Sequence, residues 1–429
     1  MIIEETDLAG GVRPELIARL VRRHRRGSER YCRLMRYYLG EHPILGRKRL
    51  SAGVPNNRIV ANHARYITDM TTAYMIANPV TYSSSEGYDI EPVKNAYFEQ
   101  TIANTDVELE RLASIFGHSF ELVYADEEAC PRSAVISPEN AFIVYADGAQ
   151  RRKLLGVYYY EPLNIDGDTK GETVVTVCTE SEIIVYRGKI GGLLTEEERL
   201  AHRFGDVPMV EYRNNPECQG DFEQQLPLID AYDLLISDRV NDKEQFVDCF
   251  LLLLGIEIDT DKAQRLREQK ILMGDVDGRA EYLAKTLSEA DTEVLREALK
   301  DDIHRFSMVP DLSDENFANN LSGVAIRYKL MGFEQNVKNK ERLFEVGLKE
   351  RFALYNNFLF VKRAAPIVPL SAIDVEFKRN LPVNEYETAQ MISLLDGIAS
   401  RQTLLSRLPF VTDAAEEADL SKKEEVSDV

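Results

Sequence analysis

Long hydrophobic runs are missing from this 429-residue chain. The longest, Phe250 to Leu254 extended through Gly255 and Ile256, falls far short of the about 18–20 apolar residues that cross a bilayer, so no membrane span is expected. The N-terminus carries acidic residues and no apolar stretch followed by small ones, so no signal peptide is expected either. Cysteine is scarce: Cys32, Cys130, Cys178, Cys218 and Cys249 are scattered and odd in number. That suits a reducing compartment and argues against a disulfide framework. The phosphate-cradling GxxxxGK[ST] loop is absent, and no GxGxxG follows a strand. HExxH, CxxC and GxSxG are also absent, and the six histidines (His24, His42, His63, His118, His202, His304) stand far apart, which leaves no zinc site or nucleophile elbow. The chain reads as a non-enzyme with no cofactor and no metal.

Two acidic clusters come nearest to a metal site. Asp166-x-Asp168-x-Lys170-Gly171 begins like a calcium loop, but Lys170 occupies a ligand position and Val177 stands where the bidentate glutamate belongs, so a β-turn is expected. Asp259, Asp261, Asp275 and Asp277 would suit a two-carboxylate nuclease site, but nothing nearby supplies further ligands, and surface turns are the better reading.

What is present is charge, unevenly spread. Lysine and arginine number 52 against 72 aspartate and glutamate, a net of −20. Residues 13–65 nevertheless hold 14 basic and 3 acidic side chains, a local net of +11 that leaves −31 for the rest. The densest part is Arg22-Arg23-His24-Arg25-Arg26. It reads as a patch for nucleic acid or an acidic partner, because clustered guanidiniums neutralise phosphates and release counterions, or as the solvated face of a helix over residues 14–26. An acidic surface on a neighbouring subunit would match it too. Residues 413–429 carry seven acidic and two basic side chains and read as a disordered tail.

With 44% apolar and 29% charged residues most of the chain should fold, yet it exceeds the about 250–300 residues that one core supports. A helix is expected over 28–39, opened by Ser28 and closed at Gly40, with Tyr31, Leu34 and Tyr38 on one face. Another is expected over 58–76, stopped by Asn78-Pro79. Between 119 and 187 the period becomes two: Phe120, Leu122 and Tyr124 alternate with Ser119, Glu121 and Val123. Strands at 141–145, 154–160, 173–178 and 183–187 complete a meander, giving an α+β region with a mainly antiparallel sheet.

The rest is helical. Residues 226–254 keep three- and four-residue apolar spacing and predict one helix about 43 Å long. A charged insertion (256–288), a helix (289–308), an Asp- and Asn-rich loop (310–321) and a helix of about 60 Å (322–361) follow. A strand at 372–378 and helices at 385–398 and 401–408 end the ordered chain. Helices this far above the mean of about 11–12 residues need a partner along their length, within the chain or in another subunit.

Several segments together resemble the portal proteins of tailed bacteriophages, in the long-tailed phage portal family of Gram-positive hosts. They are Asn57-Arg58-Ile59-Val60-Ala61-Asn62 and Tyr74-Met75-Ile76-Ala77-Asn78-Pro79-Val80, then residues 117–124, Val135-Ile136-Ser137-Pro138-Glu139 and Tyr145-Ala146-Asp147. Gly220-Asp221-Phe222-Glu223, Leu228-Ile229-Asp230-Ala231-Tyr232-Asp233 and Leu321-Ser322-Gly323-Val324-Ala325-Ile326 follow in order. Relatives often carry glycine where this chain has Ala77.

The resemblance implies a ring, usually of twelve subunits, at one capsid vertex, and a portal fold: wing 1–225, stem helices 226–254 and 289–309, clip 255–288, tunnel loop 310–321, long helix and returning strand 322–383, crown 384–408 and tail 409–429. It implies a conduit for double-stranded DNA in packaging and ejection and a nucleator of procapsid assembly. The implied partners are self, terminase large subunit, head-completion adaptor, scaffolding and major capsid proteins, with no membrane. The location is the virion, and the host cytoplasm during assembly. On this reading Asp311, Asp314, Asn316, Asn319 and Asn320 of the tunnel loop approach DNA. Lys262, Arg265, Arg267, Asp275 and Asp277 of the clip dock partners, and Arg22, Arg23, Arg25 and Arg26 lie on the wing or at a subunit interface. The alternatives are another head or connector protein, and the metal-dependent nuclease.

Overall fold

The computed structural model describes residues 1–8, 10–49, 54–85, 87–168, 171–190, 192–247, 250–254, 279–283, 289–312, 323–379, 385–395, 397–406, 408, 411, 414 and 417–418. They form a mixed α+β protein of two compact units, one of Met1–Leu39, Ala64–Gln224 and Arg305–Val429, the other of Gly40–His63 and Gln225–His304.

The first unit is built on two sheets. Strands β1 (Ile2–Ile3), β5 (Ala141–Ala146), β6 (Lys153–Tyr160), β7 (Thr173–Cys178), β8 (Glu182–Gly188) and β9 (Leu194–Ala201) lie side by side in the order β1-β5-β6-β7-β8-β9. All pairs are antiparallel except β1 with β5. A second sheet has the order β10-β3-β4, from β10 (Met209–Arg213), β3 (His118–Ala125) and β4 (Pro131–Ile136). Helix α1 (Pro14–Gly27) starts with Pro14, whose missing N–H costs nothing in a first turn. Its Leu16, Ile17, Leu20 and Val21 pack on Phe142, Val144, Val157, Val175 and Ile184 of the larger sheet. From the other side, Ala141, Ile143 and Cys178 meet Phe120 and Met209 of the smaller one. The middle strands are therefore buried on both faces, and all six residues of β7, the threonines Thr173 and Thr176 included, are buried. Gly156 lets the sheets close, since a Cβ there would lie 2.7 Å from that of Met209.

Alternation along β3 misleads. Glu121 is fully buried while Tyr124 is 39% exposed, so the apolar and polar faces of the sequence do not match the inside and outside of the sheet. Helix α2 (Glu29–Tyr38) forms as expected and ends before Gly40, whose φ of +82° suits glycine. Ser28 does not cap it: it has helical dihedrals, and its hydroxyl donates to Arg25 O at 2.7 Å.

Helices α3 (His63–Ile76), α4 (Glu91–Glu99) and α5 (Ile102–Phe116) precede β3, and β2 (Thr81–Ser84) pairs antiparallel with β13 (Ile373–Glu376).

The second unit contains helix α6 (Leu226–Val247), the start of α7 (Glu289–Ser307), and the pair β11 (Phe250–Leu254) and β12 (Arg279–Leu283). The helix expected over 226–254 is thus corrected: it stops at Val247, and Phe250–Leu254 pairs antiparallel with Arg279–Leu283. A five-residue apolar run carries no period that separates a helix from a buried strand. The helix expected from Arg58 is corrected as well, because α3 begins at His63 and residues 57–61 are extended. The expected long helix is present as α8 (Gly323–Val361), unbroken over 39 residues, and α9 (Glu385–Leu395) and α10 (Arg401–Leu405) follow. Most of the acidic tail lies outside the described residues. No described helix is long and apolar enough to cross a membrane.

Candidate functional site

Helix α8 organises the first unit through an inward stripe, Leu330, Phe333, Val337, Lys340, Phe344, Leu348, Arg351 and Tyr355, at three- and four-residue spacing. Two members are cations, 11 residues or three turns apart. Arg351 donates to Asp106 Oδ1 at 2.5 Å and to Tyr82 Oη at 2.8 Å, and its Nη1 lies 3.5 Å from Glu121 Oε1. The Tyr97 ring lies 5.0 Å below the guanidinium, and Tyr212 donates its hydroxyl to Glu121 Oε2 at 2.5 Å. Burial pushes the Glu121 carboxyl above its ordinary range, with Arg351 pulling the other way. Lys340 donates to Glu110 Oε1 at 2.8 Å and Asp221 Oδ2 at 2.7 Å; burial disfavours its charge, but the two carboxylates raise its pKa overall. Nearer the start of α8, Arg379 donates to Glu334 at 3.0 Å and to Glu341, and Tyr74 of α3 donates to Glu334 at 2.6 Å. The helix is therefore stapled by charge to α3, α5, β2 and β3. The sequence signal was there, as two cations interrupting a core stripe, but spacing alone does not identify their partners.

Of the residues expected to approach DNA, Asp311 is described and half-buried, and Asp314, Asn316, Asn319 and Asn320 lie outside the described residues. The loop's first residues are held by Tyr66 of α3, whose hydroxyl donates to Pro310 O at 3.0 Å and accepts from Leu312 N at 3.2 Å. Lys262, Arg265, Arg267, Asp275 and Asp277 also fall outside the described residues, as do Asp259 and Asp261. The strand Arg279–Leu283 lies within the expected clip, and its pairing with Phe250–Leu254 draws the end of the expected stem helix into the same β-unit.

In the second unit α6 and α7 lie side by side: Arg239 pairs with Glu293 at 2.5 Å, and Arg296 donates to Tyr232 Oη at 3.2 Å. Along α6, Asp233, Ser237 and Asn241 form a ladder at four-residue spacing. Asp233 Oδ1 accepts from Ala61 N at 2.8 Å, Ser237 Oγ from Ile59 N at 3.0 Å, and Asn241 Oδ1 from Asn57 N at 2.7 Å. Four helical residues rise about 6 Å and two extended residues about 6.6 Å, so the two repeats match and the strap runs antiparallel to the helix. These bonds hold 57–61 extended where the sequence suggested helix. His42 Nδ1 meets Asp233 Oδ2 at 2.5 Å, both side chains fully buried.

The expected basic patch is divided. Arg22, Arg23 and Arg26 are exposed on α1, but Arg25 turns onto the sheet, pairing with Glu161 at 2.9 Å and lying 5.1 Å over the Tyr159 ring. Among the described residues, one trio, His118, Glu211 and Cys218, has donor atoms close enough to share a metal ion. Both ring nitrogens of His118 are already bonded, Nδ1 to Glu211 at 2.8 Å and Nε2 to Tyr31 Oη at 2.9 Å. Glu211 also accepts from Tyr145 at 2.6 Å and from Arg213 at 2.9 Å. Burial works against the Glu211 charge, but His118 and Arg213 hold its pKa below the ordinary carboxylate range. The trio acts as a polar brace between α2, β3 and β10.

The family model described as "Phage portal protein, SPP1 Gp6-like" matches residues 17–428. The portal protein of Bacillus phage SPP1 is 23% identical, with 94% of this chain and 84% of that one covered. The portal protein of Clostridium phage phiCD119 is 25% identical over 86% of this chain and 85% of its own length.

Proposed function

The chain belongs to the SPP1 Gp6-like phage portal protein family, and from that premise we propose that it works as one subunit of a closed ring, about twelve copies by the family's habit, through which duplex DNA passes. It is a phage portal protein, a structural component of the virion. The match over residues 17–428, which spans nearly every described element, carries the reading.

In the proposed ring, the sheets and helices up to residue 225 are the wing, α6 and α7 are the stem, and the β11–β12 pair with residues 255–288 is the clip. The loop at 310–321 faces DNA through Asp311, Asp314, Asn316, Asn319 and Asn320, α8 backs it, and α9 and α10 form the crown. Lys262, Arg265, Arg267, Asp275 and Asp277 dock the terminase large subunit and then the head-completion adaptor. Scaffolding and major capsid proteins meet the wing during assembly in the host cytoplasm. The adjacency of α6 and α7 supports a paired stem over a connector without one. Exposure of Val294 (68%), Leu295 (50%) and Phe306 (61%) on α7 supports a neighbouring copy covering that helix.

Electrostatics favour a conduit over a clamp. Duplex DNA carries about one negative charge per 1.7 Å of axis, so a basic bore would hold it. A subunit at −20, repeated about twelve times, gives a ring near −240, which lets DNA pass with little adhesion where acidic groups face the lumen. Negative-stain microscopy of the purified protein tests the assembly: annular particles with a central hole support it, and particles without a hole favour a different connector.

A further inference from the structure

The solvent face of α1 carries Arg19, Arg22, Arg23 and Arg26, all exposed. Their spacing (i, i+3, i+4, i+7) lines up four guanidiniums in one stripe about 10 Å long. Among the described residues none of the four makes an ion pair or a hydrogen bond, in a chain with 72 acidic side chains. The stripe cannot roll away, because the opposite face of the helix (Leu16, Ile17, Leu20, Val21) is buried in the core of the larger sheet.

The chemistry of this face selects its partner. Apart from Glu15 and Gly27, every exposed residue of α1 is an arginine. A protein interface takes its binding energy from a desolvated apolar or aromatic centre, and this face has none. Four forked guanidiniums with no apolar companion suit a surface of repeated phosphates, which they bind by bidentate contacts and counterion release. Contacts to phosphate oxygens position a protein on the duplex without carrying sequence information, so binding through phosphates at this face is independent of sequence. Arg25, tied to Glu161 and Tyr159, takes no part.

We propose that this stripe is a second nucleic-acid surface, separate from the channel, that holds the phosphate backbone of duplex DNA lying against the outside of the protein. The proposal goes beyond the portal reading, which assigns DNA to the interior of the ring.

A covalently closed circular plasmid makes the test, since it cannot thread through a closed ring. Its binding to the full-length protein is measured between 50 and 200 mM NaCl, across which four phosphate contacts change affinity about 150-fold. The wild type should bind at low salt. R19Q/R22Q/R23Q/R26Q should bind more weakly, with a log–log salt slope shallower by about 3–4, and R22Q/R23Q should fall between. Among the described residues none of the four side chains bonds to another, so circular dichroism and microscopy should show fold and assembly unchanged, and a failure to assemble is thereby read apart from a failure to bind DNA. Equal affinity and slope for wild type and quadruple variant, or no wild-type binding at 50 mM, would overturn the proposal. So would displacement of the plasmid by polyglutamate as effectively as by competitor DNA at equal charge, which would assign the stripe to an acidic protein.

Discussion

Arg351 and Asp106, 245 residues apart in sequence, form an ion pair at 2.5 Å with side-chain exposures of 0% and 2%. Removing one member of such a pair strands the other in a medium that cannot solvate it, at a cost of about 3–5 kcal/mol. R351A should lose that much stability in denaturant unfolding. R351M/D106L should lose less, because Glu121, already pushed toward its neutral form by burial, takes up a proton once the guanidinium is gone. Equal losses in both variants would show that packing, not charge, sets the cost.

His24 supplies an acid-sensitive term. Burial pushes its pKa down to about 4, with His118 adding to the effect, and its Nδ1 lies 2.9 Å from Tyr159 Oη. A depressed pKa means that the unfolded chain takes up the proton first. The stability His24 contributes is therefore complete above about pH 6.5 and is lost as pH falls toward 4, up to about 3 kcal/mol. H24Q should flatten the stability profile between pH 6.5 and 4, followed by thermal unfolding in matched buffers; an unchanged slope there would contradict the assignment.

Gly347 lies where α8 crosses β10. A Cβ at that position would stand 2.5 Å from Tyr212 Cε1, and the fully buried ring cannot swing aside because its hydroxyl is bonded to Glu121. G347A improves helix propensity by about 0.8–1.0 kcal/mol, yet overpacking costs about 1–3 kcal/mol and should win. A melting temperature equal to or above wild type would mean the helix can shift there.

The strap along α6 is held by polar bonds that can be removed singly. S237A takes the acceptor from Ile59 N and should cost about 1–3 kcal/mol. Hydrogen exchange should speed up at the Ile59 amide while the amides of α6 keep their protection. Unchanged exchange at Ile59 would remove Ser237 from the ladder.

Period and punctuation made much of this fold legible. The strands near 141, 154, 173 and 183 are legible because their apolar runs end at turns, and α1 enters only as one of two readings of its arginine cluster, the solvated face of a helix. Strand β9 was missed, since Thr195-Glu196-Glu197-Glu198-Arg199 has no alternation to detect. It is an exposed edge strand paired to β8 and tied by Arg199 to Glu182 at 2.7 Å and by Arg187 to Glu197 at 2.6 Å. The start of α3 was misplaced because the groups that hold 57–61 extended come from α6, some 180 residues away. The end of α6 was misplaced because strand pairing with Arg279–Leu283 is a nonlocal fact. At the candidate site the arginine cluster was visible, but not its division: Arg25 follows the sheet and Arg19 joins the exposed stripe, which is a matter of helical phase against the core.

The central claim is ring formation by copies of this chain, and mass measurement of the purified protein by light scattering, paired with class averages from electron microscopy, tests it most directly. The account predicts particles many times the 48.8 kDa subunit mass, with rotational symmetry and an axial hole. A particle that stays at the mass of one subunit at every protein and salt concentration, and in the presence of capsid protein, would contradict it.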